Sequence, residues 1–401
     1  MEINELKADR IKNQEGYRFT SLMELKEKVK KDSRELLLDF GIGEQRCGAP
    51  NDVIKVLNEE SINPNNHVYS DNGIKEFNEK VSKYFKEEYN LYFDPKTEIN
   101  HCMGIKSALT ILPLCLINTN DYILTTSPGY VVIENMAKWI GAKIKHIELK
   151  KENNYLFDLN NIDEEILRKT KLLYINYPNN PTGAIANEEF YRHVIEFAKK
   201  YNFIVINDAA YIDLTFNKED RISFMQVEGA KDIGVELHSF SKGYNMTGFR
   251  IGYIIGNKDI IKMFKLVKDN MDSGQFIPIQ KSAIKALDCR DFIENNCQKI
   301  KNRHVRFKEI CKNNNIMTEM PKATFYQFVD VPKYIEYNDN IIQINNGNDF
   351  SLFLLKELKI MTIPYENNVR FSLTFNSSDD QEENYIFNLL DQRFKTCSFI
   401  Y

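Results

Sequence analysis

No run in this 401-residue chain approaches the ~18 apolar residues needed to cross a bilayer as a helix, so no membrane span is expected. Nor is there an excess of charge of one sign. Lys and Arg number 53 against 57 Asp and Glu, a net charge of −4. That balance excludes a strongly basic nucleic-acid binder and an acidic disordered tail as default readings. Six histidines and seven cysteines give no HExxH, no CxxC and no paired ligand spacing, so a metal centre is not expected. The cysteines at 47, 102, 115, 289, 297, 311 and 397 are odd in number and widely spaced, which suits reduced thiols in the cytoplasm. The opening stretch MEINELKADRIKNQEGYRF is charged throughout, and without an apolar h-region secretion is not expected. No segment repeats at a fixed period, and none is of low complexity.

What is there is an ordinary globular balance of 43% apolar and 27% charged residues. At about 150 residues per domain the length predicts two to three domains. Seven short β-rich runs occupy 99–103, 122–126, 143–148, 172–176, 203–208, 235–240 and 251–256. Helical patterns at 106–117, 130–140 and 187–201 separate several of them. Such alternation predicts an α/β domain with a mostly parallel, covered sheet, whose ligands bind at the carboxyl ends of the strands. After about residue 258 the pattern changes to helices at 259–270, 278–287, 292–313, 349–358 and 380–394, with strands at 324–331 and 369–375. This reads as a smaller α+β unit that also takes in the stretch before residue 50. The Asn/Asp-rich segment 334–347 reads as a loop.

The most informative stretch is HSFSKGYNMTGFR, residues 238–250, at the end of a predicted strand. Ser239 and Ser241 flank the approach to Lys242, and Arg250 follows eight residues later. Two hydroxyls and a guanidinium converge where a phosphate dianion would sit, and the guanidinium suits planar, charged recognition. The lysine between them is placed to form an imine with an aldehyde. The set describes a pocket for pyridoxal 5'-phosphate (PLP). A solvated surface lysine is the bland alternative.

Seven further motifs accompany it: FGIGE (40–44), YSDNGIKEF (69–77), MGIKSAL (103–109), SPGY (127–130), NYPNNPTG (176–183), NDAAY (207–211) and NVRFSLT (368–374). With SFSKGYNMTGFR they stand in family order, and over nearly its whole length the chain resembles the fold-type I PLP-dependent aminotransferases of class I/II. Within that family it is most similar to the LL-diaminopimelate aminotransferases. The resemblance implies a large PLP-binding α/β domain at 50–290 with a seven-stranded, mostly parallel sheet. It also implies a small α+β domain built from 1–49 with 291–401. It implies a cytoplasmic homodimer with shared active sites, acting on amino acid and 2-oxo acid substrates.

The same resemblance assigns roles. Lys242 holds PLP and, once displaced, moves the Cα proton. Asp208 ends the apolar run FIVIND; a buried carboxylate needs a partner, and the ring nitrogen of PLP supplies one. A helix N-cap is the alternative for Asp208. Asn180 and Tyr211 bond the phenolic oxygen, although NNPTG also makes a turn by itself. Tyr130 stacks on the ring, unless it is simply a core tyrosine. Gly104, Ile105 and Lys106 open a helix whose free N–H groups suit phosphate. Ser239, Ser241 and Arg250 complete that site, joined by Tyr69 of the partner subunit. Arg370 takes the substrate α-carboxylate; a buried structural ion pair is its alternative. Gly43 gives backbone room near the substrate.

The chain departs from the usual family pattern at Gln45, Val131, Phe249 and Ala323. These changes sit on the substrate side. LL-diaminopimelate carries a second amino acid head, for which Tyr17, Arg18, Glu44 and the 71–75 segment of the partner subunit are the candidates. Three readings follow: an LL-diaminopimelate aminotransferase, a relative acting on another amino acid in a specialised pathway, and a same-fold PLP enzyme running elimination or O2-dependent oxidation.

Overall fold

The seven β-rich runs form one sheet. A computed structural model describes residues 3–12, 20–377 and 379–401 of the chain. The strands are β1 (Ile99–Cys102), β2 (Tyr122–Ser127), β3 (Lys143–Glu148), β4 (Thr170–Asn176), β5 (Ile204–Asp208), β6 (Gly234–Ser239) and β7 (Gly252–Gly256). Their spatial order is β1-β7-β6-β5-β4-β2-β3. Strands β2 to β6 run parallel, and β7 is antiparallel to both of its neighbours, β6 and β1.

Both faces of this sheet are covered, as the apolar character of its strands requires. Side chains alternate between two cores: Leu172 and Tyr174 of β4 join one, Leu173 and Ile175 the other. Helices Ile105–Leu116, Val132–Ile140 and Lys258–Lys268 cover the first face through Leu109, Ile133 and Phe264. Helices Lys75–Tyr89, Glu188–Tyr201 and Ile277–Ala286 cover the second through Phe77, Val194 and Ala283. Asn187 caps its helix by accepting the Phe190 N–H at 2.8 Å, and Asn202 ends it in the left-handed conformation at φ 57°. Among the described residues no helix is long and apolar enough to cross a membrane.

The chain divides into two units, residues 44–303 with 321–326, and residues 1–43 with 304–320 and 327–401. The second unit has its own core, which includes Phe40, Phe307, Phe371 and Phe394. Its strands Ile363–Pro364 and Asn368–Ser372 form one small sheet with Tyr326–Asp330, which belongs to this unit from Gln327 onward, and Leu38–Asp39 pairs parallel with Ile360–Met361. Helices Gly347–Lys356 and Asp380–Phe394 complete it.

One expectation is corrected here. The segment read as a loop over 334–347 contains an antiparallel hairpin, Tyr334–Tyr337 with Asn340–Gln343, and Cys397–Ile400 pairs beside it. Asn338 and Asp339 turn the chain with φ of 49° and 60°. Two left-handed residues in succession are the geometry that a two-residue hairpin requires, and Asn and Asp tolerate it. The residues that suggested a loop are the turn of a hairpin.

Candidate active site

The topology collects most of the expected cofactor-binding residues at one edge of the large sheet. Strand β1 is antiparallel to β7, which is antiparallel to β6, so β1 runs with the parallel strands. The carboxyl ends of β1, β2, β4, β5 and β6 therefore share an edge with the amino end of β7, the edge where open parallel sheets bind ligands. Gly104, Ile105 and Lys106 follow β1 and Tyr130 follows β2. Asn180 follows β4. Asp208 ends β5 and Tyr211 follows it. Ser239 ends β6, with Ser241 and Lys242 just beyond, and Arg250 precedes β7.

Asp208 is buried. Its Oδ2 accepts the Tyr174 hydroxyl at 2.9 Å and its Oδ1 accepts the Ala210 N–H at 3.1 Å. Its carbonyl accepts Asn176 Nδ2 at 2.7 Å, and Asn176 Oδ1 accepts the Asn180 N–H at 2.8 Å, so one side chain ties the NNPTG turn to the end of β5. Burial pushes the Asp208 carboxyl up to about 6; the two hydrogen bonds and the electrostatic effect of Lys242 and His238 pull against it.

The Lys242 ammonium lies 5.7 Å from the centre of the Tyr211 ring and 5.5 Å from that of Phe325. The Tyr211 hydroxyl is 3.0 Å from the Tyr326 hydroxyl, both buried. Tyr326 reaches this place because segment 321–326 is stitched to the large unit. The Lys322 and Ala323 N–H groups donate to the Gly183 carbonyl at 3.2 Å each, and the Thr324 N–H donates to the Leu214 carbonyl at 3.1 Å.

At the other end of the site, Gly104 caps helix Ile105–Leu116 with φ 72°. A Cβ there would stand 2.5 Å from Arg250 Nη2, so the guanidinium lies directly against the helix N-terminus. Arg250 itself is left-handed at φ 55°. Its Nη1 donates to the Thr247 carbonyl at 3.0 Å, and the Thr247 hydroxyl donates to the Ser241 carbonyl at 2.9 Å. Ser239 Oγ accepts the Ser241 N–H at 3.1 Å. Gln275 Nε2 fastens the turn by donating to the carbonyls of Phe249 at 2.8 Å and Arg250 at 2.7 Å. Lys106 is exposed on the first turn of the helix.

This donor set fits PLP on its own chemistry. One end offers a helix N-terminus, two serines and a guanidinium, as a phosphate dianion needs. The other offers a desolvated carboxylate whose hydrogen-bond donors, Tyr174 and Ala210, are neutral, which leaves the negative charge for a cationic ring nitrogen. The residues that would hold the group are thus present at a common edge.

Tyr69 is 83% exposed. Its neighbour Ser70 donates from Oγ to the Gln275 carbonyl at 2.8 Å, so the segment adjoins the Arg250 turn through Gln275. Arg370 and Gly43 belong to the smaller unit. Arg370 is buried in strand Asn368–Ser372, and its Nη2 donates to the Gly41 carbonyl at 3.1 Å. The Thr374 hydroxyl donates to the Ile42 carbonyl at 3.0 Å, holding the 41–43 segment beside that strand. Glu44 is exposed. Tyr17 and Arg18 lie outside the described residues.

Three residues at the site carried no assignment from the sequence: Tyr174, Tyr326 and Gln275. Tyr174 did leave a signal, since a phenol inside an apolar strand must find a hydrogen-bond partner. Gln275 left none, because its role depends on where a distant loop comes to rest.

Residues 36–385 match the family model described as aminotransferase class I and II. The chain is similar to an LL-diaminopimelate aminotransferase of Methanocaldococcus jannaschii, 40% identical over 353 residues that cover 88% of this chain and 83% of that protein. An LL-diaminopimelate aminotransferase of Methanococcus maripaludis is 38% identical over 395 residues, 96% of this chain and 94% of that one. The solved structure of substrate-bound BacF from Bacillus subtilis matches with a TM-score of 0.89 at 29% identity, covering 98% of this chain and 99% of that one.

Proposed function

The chain belongs to the class I and II aminotransferases and is a PLP-dependent transaminase, and from that premise we propose that it moves an amino group from LL-diaminopimelate to a 2-oxo acid such as 2-oxoglutarate by a ping-pong route. The observation that carries the donor assignment is the 38% identity to an LL-diaminopimelate aminotransferase across 96% of the chain.

PLP supplies, when bound, an aldehyde carbon and an electron-poor ring that accepts charge from the substrate Cα. In the proposed division of labour, Lys242 holds that aldehyde and, once freed, takes the proton from the substrate Cα and returns it. Asp208 keeps a proton on the ring nitrogen. Tyr211 and Asn180 donate to the phenolic oxygen, and Tyr130 packs the ring face. Ser239, Ser241, Arg250, Lys106 and the N–H groups at Gly104 and Ile105 bind the phosphate. Arg370 binds the substrate α-carboxylate, Gly43 leaves room beside it, and Tyr17 recognises the distal part of the substrate. Residues 50–290 form the cofactor-binding domain and 1–49 with 291–401 the second. The enzyme works as a homodimer, with Tyr69 of the partner subunit completing the phosphate site. The free cysteines suit the reducing cytoplasm as its compartment.

The test mixes PLP-loaded protein with single amino acids under air, without an acceptor, and follows the cofactor spectrum and O2 together. Conversion to pyridoxamine phosphate by LL-diaminopimelate, one equivalent per site and with no O2 uptake, is the expected result. An inert LL-diaminopimelate beside another reactive amino acid would overturn the donor. Steady O2 consumption would overturn transamination by this route.

A further inference from the structure

We propose that Tyr174 is a positioning residue for the cofactor: its hydroxyl, donating to Asp208 Oδ2 at 2.9 Å, fixes the orientation and charge of the carboxylate that meets the ring nitrogen. The inference rests on the role given to Asp208 above and names the group that stands behind it.

Register makes the contact. Strands β4 and β5 pair parallel with Tyr174 opposite Ile206 and Asn176 opposite Asp208, so the Tyr174 ring lies one strand over and two residues back. Its long side chain covers that offset. Tyr174 is 1% exposed, so its hydroxyl has no bulk water to turn to and must find an acceptor inside the protein. Burial first, and then the negative charge of Asp208, hold the phenol well above its ordinary 10, so it keeps its proton and acts as a donor at every working pH.

Asp208 is thereby held from two sides, by Tyr174 at Oδ2 and by Ala210 at Oδ1. The titratable groups that act on it are Lys242 from the loop after β6 and His238 from β6 itself. The phenols of Tyr130 and Tyr211, on the loops after β2 and β5, act electrostatically on Tyr174 and help hold its proton. A carboxylate that loses one of two donors in a desolvated setting protonates more readily. A hydrogen bond to a charged acceptor is strong enough to move such a group by roughly one to two pH units.

The experiment uses the full-length apoprotein, its Tyr174→Phe variant and Asp208→Asn. PLP dissociation constants are measured between pH 5 and 8, and ring-15N-labelled PLP reports nitrogen protonation by NMR. Wild-type affinity should fall as the pH drops through about 6, where Asp208 takes up its proton. Tyr174→Phe should move that midpoint up by roughly one unit, weaken binding roughly tenfold at pH 6 and lower the protonated fraction of the ring nitrogen. Placing 3-fluorotyrosine at 174, a stronger donor of nearly the same shape, should move the midpoint down, which answers for any loss of packing in the Phe variant. An unmoved midpoint and an unmoved 15N signal in both Tyr174 variants would overturn the inference. Asp208→Asn that leaves them unmoved as well would instead overturn the role of Asp208.

Discussion

At the scale of the residue, the site is built from groups held against their own preference. Burial is the chief reason the Asp208 carboxyl is pushed up from its ordinary 3.8 to about 6. A raised acid pKa means that the folded chain binds more protons than the unfolded chain between those two values. Stability therefore falls as the pH rises from about 4 to 6, and the full cost persists above that window. The interval corresponds to on the order of 3 kcal/mol. Asp208→Asn, which carries no charge, should accordingly raise the urea midpoint of the apoprotein at pH 7.5, with the gain shrinking at pH 4.5, while PLP binding is lost. A variant no more stable than wild type at pH 7.5 would show that the carboxylate is not strained. Gly104 works in the other direction. It meets its requirement for a positive φ at the cap and for room beside Arg250 by having no Cβ.

At the scale of the element, the carboxyl ends of the strands carry chemistry in short contiguous motifs, and this is why so much of the site was legible. Asp208, Lys242 and Arg250 each sit within a few residues of a strand end that apolar runs already marked. The sheet was legible for the same reason: β4 and β5 are apolar through most of their length and bounded by turn residues. The hairpin Tyr334–Tyr337 with Asn340–Gln343 was not, since its strands are four residues long. Ile335 is the sole buried residue of its strand, too few for an alternating pattern to show. Tyr326 and Gln275 were illegible as site residues because loop approach brings them there, whereas Tyr174 left only the signal of a phenol in an apolar strand, its partner being set by the register of β4 on β5. The hairpin itself yields a check. Asp339 holds φ 60°, which a glycine adopts without steric cost. Asp339→Gly should raise stability by up to about 1 kcal/mol, read as a shift in the denaturant midpoint at constant slope. A destabilised variant would mean that the Asp side chain itself stabilises the turn.

At the scale of the whole molecule, the large unit exposes apolar side chains where two segments meet. Val68 is 61% exposed, Tyr69 83%, Met271 51% and Phe276 43%. The segments are bound together: the Ser70 N–H donates to the Ser273 carbonyl at 3.4 Å, and the His67 and Phe276 rings lie 5.9 Å apart. Apolar side chains gathered in one exposed region suit burial against another surface. A second copy of the chain is the occupant that the proposed shared site requires. Gln275 links the same region to the Arg250 turn through its hydrogen bond to that carbonyl, so the interface and the phosphate site would respond together. Two substitutions separate the parts. Val68→Asp places a charge in the patch and should shift the protein toward monomer at micromolar concentration in light scattering, with PLP affinity falling in parallel. Tyr69→Phe keeps the apolar surface and removes one hydroxyl, so it should leave the dimer intact and weaken PLP binding roughly tenfold, the worth of a hydrogen bond to a charged phosphate. A wild-type protein that is already monomeric would end the homodimer proposal. A monomeric Val68→Asp that binds PLP as tightly as wild type would leave the dimer standing and end the claim that its two sites are shared.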